Sequence, residues 1–87
     1  MAITNGVTSV GTVAIALHPS KNMPGTLHIA NQDNTDTVYL GGPGVTTATG
    51  HPLEKLTSEQ YPVYPEQVMY AVSGKAGHNV SWILITP

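Results

Sequence analysis

Thr26-Leu27-His28-Ile29-Ala30-Asn31-Gln32-Asp33-Asn34-Thr35-Asp36-Thr37-Val38-Tyr39-Leu40 is the stretch on which the fold class turns. Leu27 and Ile29 fall on one side and His28 on the other, the period of two that a half-buried strand requires. Asn31 to Asp36 is a run of polar turn formers, whose short side chains bond nearby backbone and tolerate tight bends. From Thr37 the alternation resumes, with Val38 and Leu40 opposite Tyr39. Strand, polar turn and strand predict a hairpin.

The flanking sequence has the same texture. Upstream, Asn5-Gly6 reads as a turn and Val7 to Leu17 as a long first strand, with Val13, Ile15 and Leu17 on one face and Thr12, Ala14 and Ala16 on the other. Pro19, Asn22, Pro24 and Gly25 read as the loop that follows. Downstream, Gly41-Gly42-Pro43-Gly44 forces an excursion, and Val45 to Thr49 with Gly50 reads as a short edge strand or an extended loop. Leu53, Leu56 and Gln60 stand at near-helical spacing, which predicts a single helical turn within Leu53 to Gln60. Tyr61 to Gln67 contains Pro62 and Pro65, which lack the amide proton that a central strand needs, so it belongs at a sheet margin. Val68, Tyr70 and Val72 alternate with Met69 and Ala71, Gly74 to Gly77 turns the chain, and Val80 to Thr86 closes it as an apolar strand. These last two strands are expected to pair as a hairpin. Val7 to Leu17 and Val80 to Thr86, the longest and most apolar, are expected at the sheet centre. The prediction is an all-β domain, a small antiparallel β-sandwich or partly open barrel of six or seven short strands.

Composition bounds what such a domain can do. Eighty-seven residues, 40% hydrophobic and 9% charged, support one core, so residues 1–87 are read as one domain. The absence of cysteine removes disulfides and thiolate zinc sites, leaving association with a partner as the common way to stabilise so small a unit. Lys21, Lys55 and Lys75 are the only cationic residues apart from histidine, too few and too scattered to track phosphates, so no nucleic-acid partner is expected. The apolar runs Val13 to Leu17 and Trp82 to Ile85 fall far short of the roughly 20 residues of a membrane-spanning helix. Met1 to Val7 carries no signal-peptide pattern. No membrane association is expected, and synthesis in a host cytoplasm without export is the expectation.

Chemistry-bearing constellations are sparse. His18, His28, His51 and His78 lie ten or more residues apart and show no metal-ligand spacing, so strand-end or solvent-facing roles are expected and no metal or cofactor. His51 with a serine and Asp33 or Asp36 supplies the residue types of a nucleophilic triad without a nucleophile elbow. Asp33 and Asp36 are expected to cap backbone amides in their turn. No catalytic residue is assigned, and no enzymatic activity is expected. With no phenylalanine, Tyr39, Tyr61, Tyr64, Tyr70 and Trp82 must supply the aromatic packing. A sugar-binding module built on Tyr61, Tyr64 and Trp82 would need those rings coplanar on an exposed face.

The sequence "TLHIAN", then "DTVYLGGPGVTTATGHPL" over residues 36–53, and the later strand pair from Tyr70 to Ser73 and Val80 to Ile83 resemble a pattern in small virion proteins of tailed bacteriophages. The resemblance covers about two thirds of the chain, rests on glycine and threonine patterning, and carries no functional residue to transfer. It implies assembly without catalysis: a capsid decoration protein on the outside of the head shell, bound to the major capsid protein, with trimeric self-association favoured. The alternative position is the tail or the head-to-tail joint. The expected contact surface is the pair of loops Gly41 to Leu53 and Tyr61 to Gln67, with Val45, Tyr61, Val63 and Tyr64 as apolar anchors.

Overall fold

The structure, a computed structural model, describes residues 2–19, 24–32 and 35–86. Eight strands follow in chain order: β1 (Ala2–Val10), β2 (Ile15–Ala16), β3 (Gly25–Asn31), β4 (Val38–Gly41), β5 (His51–Leu53), β6 (Ser58–Val63), β7 (Tyr70–Ser73) and β8 (His78–Thr86). They form two antiparallel four-stranded sheets, β1-β8-β3-β6 (sheet A) and β2-β7-β4-β5 (sheet B). The domain is all-β, and of the two expected forms it is a sandwich and not a closed barrel.

The 26–40 stretch keeps its alternation: Leu27, Ile29, Val38 and Leu40 are buried and His28 is exposed. It does not form a hairpin. β3 lies between β8 and β6, whereas β4 lies between β7 and β5 in the other sheet. The physical reason sits at Asn31, which is interior at 1% exposure. Its Nδ2 donates to the carbonyls of Leu53 (3.0 Å) and Asp36 (3.1 Å), tying the end of β3 in sheet A to the end of β5 in sheet B. A residue read as a turn former is the polar tie at which the chain changes sheets.

The expected hairpin of the last two strands is also a change of sheet. β7 pairs with β4 and β2, and β8 pairs with β1 and β3. Between them Gly77 takes φ +87°, a conformation that a side chain would strain. At the other end, Asn5 and Gly6 form no turn. They lie inside β1, opposite Ile83 and Trp82. Gly6 is needed there for room, because a Cβ at that position would stand 2.9 Å from Trp82 Cζ2.

The long strand expected over Val7 to Leu17 is broken after Val10, where the chain crosses to β2. Its expected faces are split accordingly: Val13 (78%) and Ile15 (40%) are exposed and Leu17 is buried. Only one of the two strands expected at the sheet centre is there, since β8 is interior and β1 is an edge. The helical turn expected within Leu53 to Gln60 is absent. Residues 54–57 make a tight turn closed by Thr57 N–H and Oγ1 on the Glu54 carbonyl (3.3 and 2.6 Å), with Leu56 at φ +57°. Residues 45–49 form a loop and not a strand. The marginal placement of the proline-bearing segment holds, as β6 pairs with β3 alone. Asn22 and Asp33, read as loop and cap residues, lie outside the described residues.

Leu27, Ile29, Trp82 and Leu84 of sheet A pack against Leu17, Val38, Leu40 and Leu53, each fully buried side chain of this size contributing about 1.5–3 kcal/mol. A polar ring packs beside Trp82 of this core. His18 is 5% exposed, its Nε2 accepts the Met69 N–H (3.0 Å), and its Nδ1 faces the Pro19 carbonyl at 2.9 Å. Met69 can only donate, so the proton sits on Nδ1 and both ring nitrogens are satisfied.

Candidate functional site

Two of the expected contact segments converge. Gly41, Gly42 and Pro43 form one wall of a groove of about 450 Å³, and Pro62, Val63 and residues 66–69 form the other. The first wall is held by the turn in which Val45 N–H donates to the Gly42 carbonyl (3.0 Å). The second is a turn closed twice, by Gln67 N–H on the Tyr64 carbonyl (3.0 Å) and by Tyr64 N–H on Gln67 Oε1 (3.1 Å). Glu66 in this turn takes φ +64°, a left-handed conformation that costs a non-glycine residue about 1–2 kcal/mol.

The four residues expected as apolar anchors have different fates. Tyr64 is 62% exposed, in the turn that makes the second wall. Val45 and Val63 are 8% exposed and are corrections to the expectation: their side chains are used in the chain's own packing. Val63 belongs to the core cluster, and Val45 folds back against Gly41 and Gly50, where added Cβ atoms would meet its Cγ2 at 2.8 and 2.9 Å. Tyr61 is half-buried and packs on the core.

Tyr61 belongs instead to a polar bridge across one open side of the sandwich, where β5 is the edge of sheet B and β6 the edge of sheet A. Its hydroxyl donates to Glu59 Oε1 at 2.7 Å, and His51 Nε2 stands 3.5 Å from the same oxygen. The His51 and Tyr61 rings meet edge to face at 6.3 Å. Burial, then the Glu59 carboxylate, pushes the Tyr61 phenol up to about 12, so near neutral pH it is a hydrogen-bond donor and not a base or nucleophile. At the start of β8, His78, 5% exposed, brings Nε2 within 3.3 Å of Asp36 Oδ2. These carboxylates sit apart, and among the described residues no group of three or more His, Asp or Glu could hold a metal ion.

Sequence reasoning missed the outer face of sheet A. Strand register and alternating burial direct Ile3, Asn5, Val7, Ser81, Ile83, Ile85, His28, Ala30, Ser58 and Gln60 to this face, and no Lys, Asp or Glu of the sheet points there. A shallow groove of about 420 Å³ crosses it, with Val7, Ile83, His28 and Ala30 in its lining. Ile3 (64%), Val7 (60%) and Ile83 (44%) are exposed on it. The available signal was the alternation of Ile3, Asn5 and Val7, which the Asn5-Gly6 turn reading masked.

The aromatic platform required for sugar stacking is not formed, because Trp82 is 8% exposed and lies in the core. Comparison with known proteins gives no match to a family model, a curated protein or a solved structure.

Proposed function

We propose that this protein is a structural component of a tailed-phage virion, a decoration protein that docks on the exterior of the head shell against the major capsid protein. The observation that carries the reading is the convergence of residues 41–43 with 62–63 and 66–69 on one groove, formed in part by the turn that holds the exposed Tyr64. Two turns of fixed geometry present backbone and one aromatic anchor while little chain is left to order on docking. The resemblance of the 26–53 segment to small virion proteins supplies the class of partner. Few charges are available to this surface, with Glu66 the one carboxylate in the groove, so docking is apolar and backbone-polar. Repetition of the site over a shell raises the effective concentration and stabilises a small domain by mass action. The shell's local threefold positions are the proposed docking places, with three copies grouped there. No catalytic role is proposed.

Copy number per purified particle, read from stained bands, tests the placement: hundreds of copies is expected, and tens or fewer moves the protein to the tail or the head-to-tail joint. Tyr64→Ala tests the surface. It should lower shell occupancy with thermal unfolding unchanged, and full occupancy would remove the 64–67 turn from the contact.

A further inference from the structure

Four strands lie at sheet edges, and three are protected against pairing with another chain. β2 has two residues, β5 has three with Pro52 among them, and β6 carries Pro62 and Glu59. Short length, proline and charge are the usual devices that blunt an edge. β1 has none of them. It is nine residues long, contains no proline or charged residue, and keeps a one-to-one register with β8 from Ala2↔Thr86 to Val10↔His78, so no bulge twists it away. Among the described residues its other edge has no strand beside it, and no backbone hydrogen bond outside the β8 ladder involves β1. Such an edge is a template for one more strand.

We propose that the strand it takes is β1 of a second copy, antiparallel across a twofold axis at Asn5. The argument is self-complementarity. Residues paired across a twofold between antiparallel strands must present their side chains on the same face, so the axis falls on a residue and never between two. At Asn5 it sets Ile3 against the partner copy's Val7 and Val7 against the partner copy's Ile3, joining the exposed apolar residues of both edges in two cross-strand pairs. On the inner face Thr4 meets Gly6, and no bulky pair collides. Moving the axis to Gly6 sets Val7 against Asn5 and Ile3 against Ser9; moving it to Thr4 sets Ile3 against Asn5. Neither alternative sets Ile3 and Val7 against each other. The Asn5 register also extends the uncharged stripe of Ile83, Ile85, Ile3 and Val7 into one eight-stranded sheet, with no ionised side chain on β1 to repel its copy. This contact does not depend on the virion reading. It is twofold, so grouping in threes would be imposed by a shell and not by β1.

Sedimentation and native mass spectrometry of the purified chain over a concentration series should show a species of twice 9.1 kDa. Ile3→Lys with Val7→Lys sets like charges opposite each other and should weaken the dimer at least tenfold, whereas Ile3→Lys with Val7→Glu should restore it. The chain lacks cysteine, so Asn5→Cys provides an independent test of the axis. Its thiol should meet its copy at a Cα separation of about 4.5–5.5 Å, within disulfide reach, and mild oxidation should yield a covalent dimer. Ser9→Cys, four residues along and so roughly 27 Å from its own copy, should not cross-link. Should the lysine variant lose its circular dichroism spectrum, the cysteine pair decides. A chain monomeric to about 1 mM, an intrinsic trimer, a dimer indifferent to the paired lysines, or cross-linking at Ser9 in preference to Asn5 would each overturn the proposal.

Discussion

Replacing Asn31 by alanine tests whether the sandwich is held together by a polar tie as well as by its apolar core. The side chain is 1% exposed and donates to two carbonyls belonging to different parts of the fold. Each hydrogen bond contributes a net of about 1 kcal/mol. The Leu53 carbonyl is buried, where water does not readily replace the lost donor, at a further cost of about 1 kcal/mol, while the Asp36 carbonyl, part-buried, can turn to water. The expected loss is therefore about 3 kcal/mol, and in a domain of this size it lowers Tm by roughly 12–24 °C. Asn31→Asp sharpens the test, because it keeps the shape and replaces the donor with an oxygen facing two carbonyl oxygens, so at neutral pH it should destabilise more than alanine does. Urea denaturation followed by the fluorescence of Trp82, the single tryptophan, measures both. A loss below about 1 kcal/mol for alanine, or an aspartate variant more stable than the alanine one, would refute the inter-sheet tie.

Gly6→Ala should destabilise by about 1–3 kcal/mol and shift Trp82 emission, since the added methyl meets the indole at 2.9 Å; an unchanged spectrum and midpoint would contradict the packing. Leu56→Asn should raise stability by roughly 1 kcal/mol in the same denaturation assay, because Leu56 is exposed at φ +57° and asparagine tolerates that conformation. Tyr61 ionises more reluctantly when folded than when unfolded, at about 12 against 10.0. Its contribution is therefore complete below pH 10 and is lost as pH rises toward 12, and Tyr61→Phe should flatten that part of the stability profile measured against wild type.

What could be read from sequence was periodicity, and what could not was which strands become neighbours. Leu27, Ile29, Val38 and Leu40 were legible because alternation is local to the strand that shows it. The pairing of β3 with β8 and β6 was not, because a polar run such as residues 31–36 serves equally as a hairpin turn or as a passage between sheets, and what decides is a partner 22 residues away, the Leu53 carbonyl. Val13 and Ile15 were misplaced for a related reason: an alternating run continues in sequence across the break after Val10, where the chain leaves sheet A. At the candidate site, glycine and proline content pointed to the two loops that meet at one groove. It could not show that Val45 and Val63 would be consumed inside them, since burial depends on what lies across the fold.

The repeated passage between sheets also determines when the domain can exist during synthesis. In chain order the strands alternate between sheets except at β4 and β5, so β4 and β5 alone pair as successive strands, and although sheet B and the β3–β6 pair can form without β8, the rest of sheet A cannot. β8, the strand joining β1 to β3, leaves the ribosome after the other seven. Until then β1 has no partner in its own sheet, and β3 has only the margin strand β6. The loop-closure entropy for bringing β1 and β8 together is paid before most long-range contacts repay it, a topology that folds slowly. The growing polypeptide therefore presents its uncharged β1 segment to the cell throughout elongation, and its capture by other nascent copies is a hazard that completion of β8 removes only in part.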